Sequence, residues 1–226
     1  MSAENQLQEF TAGDLVFFLG DGFVHSIRYK GVELIQRIYF SYRDEHWIDV
    51  PAVYSTPEVK HGTEETQIRF SGVVRTENIG FAADFDVHAT GDGLRFHFSG
   101  RAVIPSLRNR LGLCVLLPET LSGARCRRWS PSGELLEREL PDAIEPHQPL
   151  LDIQSMEIGT GVASLRLDFE GEVFEMEDQR NWTDTSFKVY CTPLGFTRPV
   201  RVETDEEISQ SVDVSIRQMA QMVPVE

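Results

Sequence analysis

Cysteine, long apolar runs and positive charge are all scarce in this sequence of 226 residues. The three cysteines, Cys114, Cys126 and Cys191, are widely spaced and form no CxxC pair, which argues for reduced thiols and against a disulfide framework or a zinc site. The longest apolar run, LGLCVLLP at 111–118, is too short to cross a bilayer. The N-terminus MSAENQLQEF has no basic region before an apolar core, so we expect no secretory signal and a cytoplasmic location.

Basic residues are outnumbered by acidic ones. Lys plus Arg total 21 against 36 for Asp plus Glu, which gives a formal net charge of -15. Such a surface repels nucleic acid and anionic membranes, so we expect neither as a partner. A local basic group inside a cleft can still reverse the field, and the charge therefore does not exclude an anionic small ligand.

Helical periodicity is nearly absent, and alternation of apolar and polar residues takes its place. FAADFDVHAT at 81–90 and LRFHFSG at 94–100 alternate on either side of a Gly-Asp-Gly turn signal, which predicts a β-hairpin. SVDVSI at 211–216 alternates in the same way. Only ETLSGARCRRW at 119–129 and GELLEREL at 133–140 carry a short helical pattern.

Many strands separated by turn signals, with no repeat and no linker, predict an all-β fold. We expect a large antiparallel β-sandwich with little helix, as one domain over residues 1–226 with its core at about 10–216 and a tail at 217–226. The proline-rich segment PDAIEPHQPLLDI at 141–153 cannot form a central strand. We expect it to be a rigid loop or edge that carries His147 and Gln148 across one end of the sandwich.

The segment FEMEDQRNWTDTSFKVY at 174–190 concentrates polar groups between ordinary strand patterns. Strand alternation places Glu175 and Glu177 on one face of the first half, and Asp184 and Lys188 on one face of the second half. Carboxylates and amides pair with sugar hydroxyls, while an indole packs on the apolar face of a sugar ring. The segment therefore suits the wall of a carbohydrate site.

The same segment resembles a hallmark of the N-terminal β-sandwich domain of the D-apionate lactonase family, bacterial enzymes of branched-sugar catabolism. Four further segments resemble that domain in the same order: GVELIQRIYFSYRDEHW at 31–47, RNRLGLCVLLP at 108–118, IEPHQPLLDI at 144–153 and SQSVDVSI at 209–216. The resemblance therefore extends over nearly the whole chain, from about residue 10 to about residue 216.

This resemblance implies a fold related to the galactose-mutarotase sandwiches, in which a large concave sheet holds carbohydrate. Family members continue into a (β/α)8 barrel and a small C-terminal β domain, and the present chain resembles only the first domain. Lactonase activity does not follow from the resemblance, because the catalytic groups can lie in the barrel.

The candidate catalytic residues are Glu175 and Glu177, with His147 as the partner for acid-base transfer. The candidate ligand-binding residues combine cations for a substrate carboxylate with groups for hydroxyls and a sugar ring: Arg108, Asn109, Arg110, Asp178, Arg180, Asn181, Trp182, Asp184 and Lys188. No metal or other cofactor is expected, since no EF-hand spacing occurs, and the absence of a GxSxG motif argues against a serine hydrolase.

Structural interpretations stand beside these assignments. Arg180 can pair with Asp178 or Asp184 and hold a bulge in place, which would make the cluster an ion-pair network. His147 can be a loop histidine with backbone partners, and Trp182 or Trp47 can be a core residue instead of a sugar platform.

Two classes of function remain open from the sequence. The first is an enzyme, a carbohydrate isomerase, mutarotase or lactonase, that acts on a sugar, sugar acid or lactone bound on the concave sheet. The second is a non-catalytic binding or assembly domain that works with a separate partner chain or as a homo-oligomer. A remnant with only structural duties is a third possibility.

Overall fold

The protein is described by a computed structural model for residues 7–218, and nearly all of the regular secondary structure within them is β-strand. The first strands are β1 (Gln8–Ala12), β2 (Leu15–Gly20), β3 (Phe23–Tyr29), β4 (Val32–Asp44), β5 (Ala52–Tyr54), β6 (Glu58–His61), β7 (Glu65–Arg75), β8 (Gly80–Thr90), β9 (Gly93–Ile104) and β10 (Ser106–Pro118). After the 3₁₀ turn Glu119–Leu121 come β11 (Arg125–Trp129), β12 (Leu135–Glu139), β13 (Leu150–Ile153), β14 (Ser155–Gly159), β15 (Ala163–Glu170), β16 (Phe174–Gln179), β17 (Ser186–Tyr190), β18 (Val200–Val202) and β19 (Glu207–Gln218).

These strands form two antiparallel sheets that pack face to face. The nine-stranded sheet has the order β1-β2-β3-β4-β10-β17-β16-β13, and β18 pairs with β10. The ten-stranded sheet has the order β12-β11-β14-β15-β19-β9-β8-β7-β5, and β6 pairs with β7. The predicted all-β antiparallel sandwich is therefore confirmed. The described part of the chain contains no helix that is long and apolar enough to cross a membrane.

The predicted hairpin at residues 81–100 is the centre of the ten-stranded sheet. Strands β8 and β9 pair antiparallel, with Phe85 opposite Phe98 and Asp86 opposite His97. The two phenylalanines face the core and the polar pair faces outward, as the alternation predicted. SVDVSI lies in β19, between β15 and β9, so the last described strand is an inner strand of the sheet.

A cluster of phenylalanines joins the two sheets. Phe40 of β4 contacts Phe81, Phe85 and Phe98 of the opposite sheet, with ring centroids 5.0–6.0 Å apart. All four rings are buried, and each buried phenylalanine contributes about 1.5–3 kcal/mol to stability. The inward side of β4 is thus committed to the core, which leaves its other side for the outer face of the nine-stranded sheet.

A buried amide also connects the sheets. Gln210 of β19 accepts hydrogen bonds from the Leu113 N–H at 2.9 Å and from the Cys191 thiol at 3.2 Å. Its amide donates to the carboxylate of Glu172 at 3.1 Å. Because these partners come from the nine-stranded sheet and the segments beside it, the amide fixes the sheets relative to each other.

The structure differs from the helical interpretation of residues 119–129 and 133–140, which is wrong. Apart from the short 3₁₀ turn, these residues form the β11–β12 hairpin. Arg127 and Glu137 lie opposite each other there, with the Arg127 Nε 2.8 Å from the carboxylate, so cross-strand pairing outweighs the weak helical pattern. The proline-rich segment runs as a loop before β13, an edge strand. Of the expected tail at 217–226, residues 219–226 lie outside the described residues.

Gly112 of β10 provides a test of the inter-sheet packing. It has a φ of +145°, and a Cβ atom added there would overlap the Gln210 amide and the Cys191 sulfur. We expect Gly112→Ala to lower the free energy of unfolding by about 3 kcal/mol, through combined backbone strain and overpacking. Urea denaturation measures the change. Gly159→Ala is the control, since nothing lies within 4 Å of its added Cβ, and equal stability of the two variants would contradict the packing argument.

Candidate functional site

The site lies on the outer face of the nine-stranded sheet, where β4, β10, β17 and β16 are neighbours. Register places Arg43 opposite Arg110, Cys114 opposite Tyr190, and Lys188 opposite Glu177. A cleft of about 750 Å³ opens above these strands. Its lining consists of Tyr39, Arg43, Trp47, Arg110, Ile144, Glu145, Pro146, His147, Gln148, Glu177, Asp178, Gln179, Asn181, Trp182, Thr183, Asp184, Lys188 and Leu194.

Two indoles flank this cleft. Trp47 lies in the turn after β4, where the Asp44 carboxylate accepts the N–H groups of His46 and Ile48 at 2.8 Å each. Within this turn Trp47 has a φ of +66°, which is rare for a bulky residue. Trp182 lies in the turn between β16 and β17, with 67% of its surface exposed. The two side chains thus border the cleft from separate turns, and neither is a core residue.

Three cations converge on the cleft without a carboxylate partner. Within residues 7–218, Arg43, Arg110 and Lys188 form no ion pair, and the Nε atoms of the two arginines are buried without a hydrogen-bond partner. Lys188 is only 5% exposed, and burial together with the nearby charges of Arg110 and Arg43 lowers the pKa of its amine. Buried charges are normally paired in proteins, so this cluster calls for a negative group from outside the protein.

Aromatic rings hold one of these cations in place. The Arg110 guanidinium lies 3.8 Å from the centroid of the Tyr190 ring and 5.9 Å from that of Trp47. Arg198 approaches the same indole at 5.3 Å. Cation-π contacts orient a guanidinium and leave its N–H groups free to donate to a ligand. The charge is therefore positioned but not neutralised.

Two carboxylates that both contact the Tyr190 hydroxyl border the cations. The Tyr190 hydroxyl contacts Glu175 Oε1 and Glu177 Oε1, each at 2.6 Å. Glu175 also accepts the Leu194 N–H at 2.6 Å, and Glu177 accepts the Gln179 amide at 2.6 Å. Burial and the two carboxylates raise the pKa of the Tyr190 phenol, which therefore remains protonated as a donor. These bonds hold the Glu177 carboxylate beside Tyr190, and Lys188 directly opposite forms no ion pair within residues 7–218.

Arg180 and Asp178 form a structural brace. The guanidinium contacts both carboxylate oxygens of Asp178, at 2.8 and 2.7 Å, and also donates to Ser122 and to the backbone oxygens of Asp142 and Ala143. Asp178 in turn accepts the Glu145 N–H at 3.0 Å. The brace thus ties the end of β16 to the proline-rich loop, in agreement with the interpretation of these two residues as an ion-pair network.

Most of the predicted site residues meet in this cleft. His147, Glu177, Asp178, Asn181, Trp182, Asp184, Arg110 and Lys188 all belong to its lining. His147 is exposed on the proline-rich wall, and Asp184 has a buried Oδ1 without a hydrogen-bond partner. The catalytic and ligand-binding roles assigned to these residues from the sequence stay predictions.

The remaining predicted residues lie outside the lining and support it from behind. Glu175 is buried behind Tyr190, and Arg180 belongs to the brace. Arg108 donates to Thr192 at 2.8 Å, and Asn109 donates to the Glu45 carbonyl at 2.9 Å, which holds the turn of Trp47.

Sequence reasoning missed two residues of the floor, Tyr39 and Arg43. Both alternate with the core residues Phe40 and Tyr42 along β4, so the two-residue period marks them as facing away from the core. The sequence does not show that β4 lies beside β10, and the contribution of β4 to the site was therefore not apparent.

Comparison with known proteins places this geometry in a family. Residues 1–219 match the D-apionate lactonase N-terminal domain family. The chain belongs to this family. The D-apionate lactonase of Brucella anthropi is 29% identical over 225 residues, covering 91% of this chain and 34% of the relative. The chain thus spans about one third of the length of the curated relative it matches, and the predicted resemblance is confirmed.

Solved structures with low sequence identity share the fold of this apionate-lactonase-type domain. A galactose mutarotase-like protein from Clostridium acetobutylicum has a TM-score of 0.59 at 8% identity, covering 96% of each chain. An aldose epimerase homologue from C. elegans has a TM-score of 0.60 at 11% identity, covering 96% of this chain and all of the other. A GH36 α-galactosidase from Geobacillus stearothermophilus has a TM-score of 0.56 at 9% identity, covering 94% of this chain and 41% of the other. The galactose-mutarotase-like sandwich is therefore confirmed.

Removal of the Asp178 carboxylate tests the brace. Burial alone would raise the pKa of Asp178, but the Arg180 guanidinium and the N–H groups of Glu145 and Arg180 outweigh it and hold the pKa below its ordinary value of 3.8. We expect Asp178→Asn to lower the free energy of unfolding by about 3 kcal/mol at neutral pH, because it leaves Arg180 buried and unpaired. Denaturant unfolding across a pH series measures this loss.

The pH dependence has a defined sign. A depressed carboxyl pKa stabilises the fold above pH 3.8, and this contribution disappears as the pH falls through the lower value of the folded state. The difference between wild type and Asp178→Asn should therefore shrink in acid below pH 3.8. Glu137→Gln, which breaks the exposed pair with Arg127, is the control and should cost less than about 1 kcal/mol. An equal loss from both variants would contradict the brace.

Proposed function

We propose that this domain binds a carbohydrate that carries a carboxylate, a sugar acid, in the cleft above β4, β10, β17 and β16. The observation that carries the proposal is the meeting of Arg43, Arg110 and Lys188 without a carboxylate partner, in a chain with a formal charge of -15. A ligand carboxylate in the cleft would supply the negative charge that these three cations lack.

The remaining lining residues suit the hydroxylated part of such a ligand. Asp184 lines the cleft with its carboxylate, and Asn181 and Gln148 line it with their amides. Amides and carboxylates bond to adjacent hydroxyls, and the indoles of Trp47 and Trp182 supply apolar faces for the carbon skeleton. The Brucella relative is named a D-apionate lactonase, and apionate is a sugar acid, which agrees with this ligand class.

A matched ligand pair tests the proposal. Gluconate and glucitol share the same row of hydroxyls and differ in the carboxylate, so we expect gluconate to raise the melting temperature and glucitol to raise it much less. A ligand that binds only the folded state at 100 times its Kd adds about 2.7 kcal/mol of stability. Other aldonates, including D-apionate, extend the panel. No shift from any aldonate would contradict the proposal.

Charge removal locates the carboxylate. We expect Lys188→Gln and Arg43→Gln each to weaken aldonate binding by about 10- to 100-fold, since a charge-assisted hydrogen bond contributes about 1.5–3 kcal/mol. Neither variant should lose stability, because each removes an unpaired charge from a mostly buried position. Arg127→Gln, on the opposite sheet, is the control. Calorimetric titration that shows unchanged affinity in both cleft variants would place the ligand elsewhere.

Acid-base catalysis on the bound carbohydrate is a second candidate function. The observation in its favour is the bonded series Glu177–Tyr190–Glu175, with Glu177 at the cleft surface and His147 on the facing wall. For a lactone, Glu177 would take a proton from water as the water oxygen attacks the acyl carbon. The ring C–O bond then breaks, and the ring oxygen takes a proton from His147. The acid that forms loses the second proton of the attacking water to solvent, and the cations hold the resulting carboxylate. Mutarotation would use the same two groups at a hemiacetal.

Glu177→Gln tests this chemistry. We expect it to lower kcat for lactone hydrolysis or mutarotation by about 100-fold or more with an unchanged melting temperature, the usual effect of removing a general base. Glu175→Gln, which changes only the residue behind Tyr190, should have a smaller effect. Proton release and polarimetry follow the two reactions. Full activity in both variants would exclude the mechanism.

A non-catalytic accessory role with a partner chain or a second copy is the alternative. Ile48 and Phe196 are exposed next to the lining residues Trp47 and Leu194, and apolar side chains clustered at a cleft mouth can mark a contact surface. The part of the Brucella relative outside the match is about two thirds of its length, which fits a partner of that kind. Size-exclusion chromatography with light scattering distinguishes a monomer from an oligomer.

A further inference from the structure

A second cavity lies beside the cleft, at the place where the pairing between β3 and β4 ends. That strand pairs with β4 as far as Val24 opposite Ile38, so the edge of β4 from Tyr39 onward has no β3 neighbour. The segment that leads into β5 passes over this edge and encloses about 790 Å³. Tyr39 lines both this cavity and the cleft. The two spaces therefore adjoin at one side chain.

The walls of the second cavity are aromatic. The Phe23 ring lies 5.4 Å from that of Tyr39 and 6.3 Å from that of Tyr54, with the Phe23 and Tyr54 rings nearly perpendicular at 80°. These three rings face the cavity from β3, β4 and β5. Aromatic faces of this kind pack on the C–H surface of a sugar ring.

Polar groups lie among the rings. Asp21 and Asp49 line the cavity, and their negative charges, after burial, raise the pKa of the Tyr54 phenol, which therefore stays a neutral hydroxyl. Arg37 is stacked over Phe23 at 5.9 Å, forms no ion pair within residues 7–218, and has a buried Nε without a hydrogen-bond partner. The cavity thus offers hydroxyl acceptors and donors beside its apolar walls.

Distances along β4 give the scale of the combined site. Arg37, Tyr39 and Arg43 point to the same face, and the rise per residue places Arg37 and Arg43 about 20 Å apart. A single sugar acid anchored by its carboxylate at Arg43 does not extend that far. The part of the second cavity around Arg37 is therefore beyond the reach of the ligand unit that the cleft holds.

We propose that the second cavity binds a further sugar ring, so that the full ligand is a sugar acid in glycosidic linkage to a neutral sugar. This inference rests on the proposed function, because it assumes that the acid unit occupies the cleft. The neutral ring packs on the aromatic wall formed by Phe23, Tyr39 and Tyr54, and accepts a hydrogen bond from Arg37. Asp21 and Asp49 accept from its hydroxyls.

Ligand length provides the test, with gluconate as the one-unit probe and lactobionate, cellobionate and maltobionate as two-unit probes with the same acid. We expect at least one of the two-unit probes to bind at least tenfold more tightly than gluconate. Arg37→Gln and Phe23→Ala should remove that advantage and leave gluconate binding unchanged. Arg28→Gln is the matched control, since Arg28 lies on β3 outside both spaces and bonds to Ser26.

The outcomes separate the two proposals. Gluconate binding with equal or weaker binding of every two-unit probe would overturn the extended site and leave the sugar-acid function intact. A two-unit advantage that survives Arg37→Gln and Phe23→Ala would also overturn it, because the second ring would then lie elsewhere. Failure of all four probes to bind would overturn this inference, and failure of the whole aldonate panel would overturn the proposed function as well. If Phe23→Ala does not fold, the Arg37→Gln variant alone still tests whether the second ring occupies this cavity.

Discussion

The two-residue period of the β-strand is the constraint on which the cleft depends. Each central strand of the nine-stranded sheet places one set of side chains in the core and the alternate set on the outer face. On β17, Phe187 and Val189 face the core while Lys188 and Tyr190 face outward. A shift of one residue in register would exchange these sets, burying a lysine between the sheets. Stability of the core and placement of the site are therefore specified by the same ladder of hydrogen bonds.

Charge is paired in the brace and unpaired in the neighbouring cluster of cations. Asp178 and Arg180 form an ion pair that connects strand and loop. Arg43, Arg110 and Lys188 repel one another across neighbouring strands, and aromatic rings contact Arg110 and Lys188 without neutralising them. Like charges in cross-strand contact disfavour folding. The sheet keeps this group against that cost, which supports the proposal that the cleft binds an anion.

The alternation in single segments was sufficient to predict much of this structure. It predicted the β8–β9 hairpin, the sandwich and the outward direction of Lys188. Register between distant strands was not predictable, because the neighbour of β10 is set by packing of the whole sheet. Tyr39 and Arg43 were missed for that reason. The short helical pattern around the β11–β12 hairpin misled because cross-strand pairing overrides it. Arg180 was placed among the ligand-binding candidates, although its guanidinium is directed at Asp178 and the loop backbone.

The positions of the tryptophans have an optical consequence. Of the three in the sequence, Trp47 and Trp182 border the cleft, while Trp129 lies on the other sheet with Arg166 4.9 Å from its ring. Emission from Trp182 comes from an indole largely in water, and contact with a ligand would change both its wavelength and its quenching. The fold thus contains an intrinsic fluorescent reporter of cleft occupancy, with a third indole as an internal reference remote from the event.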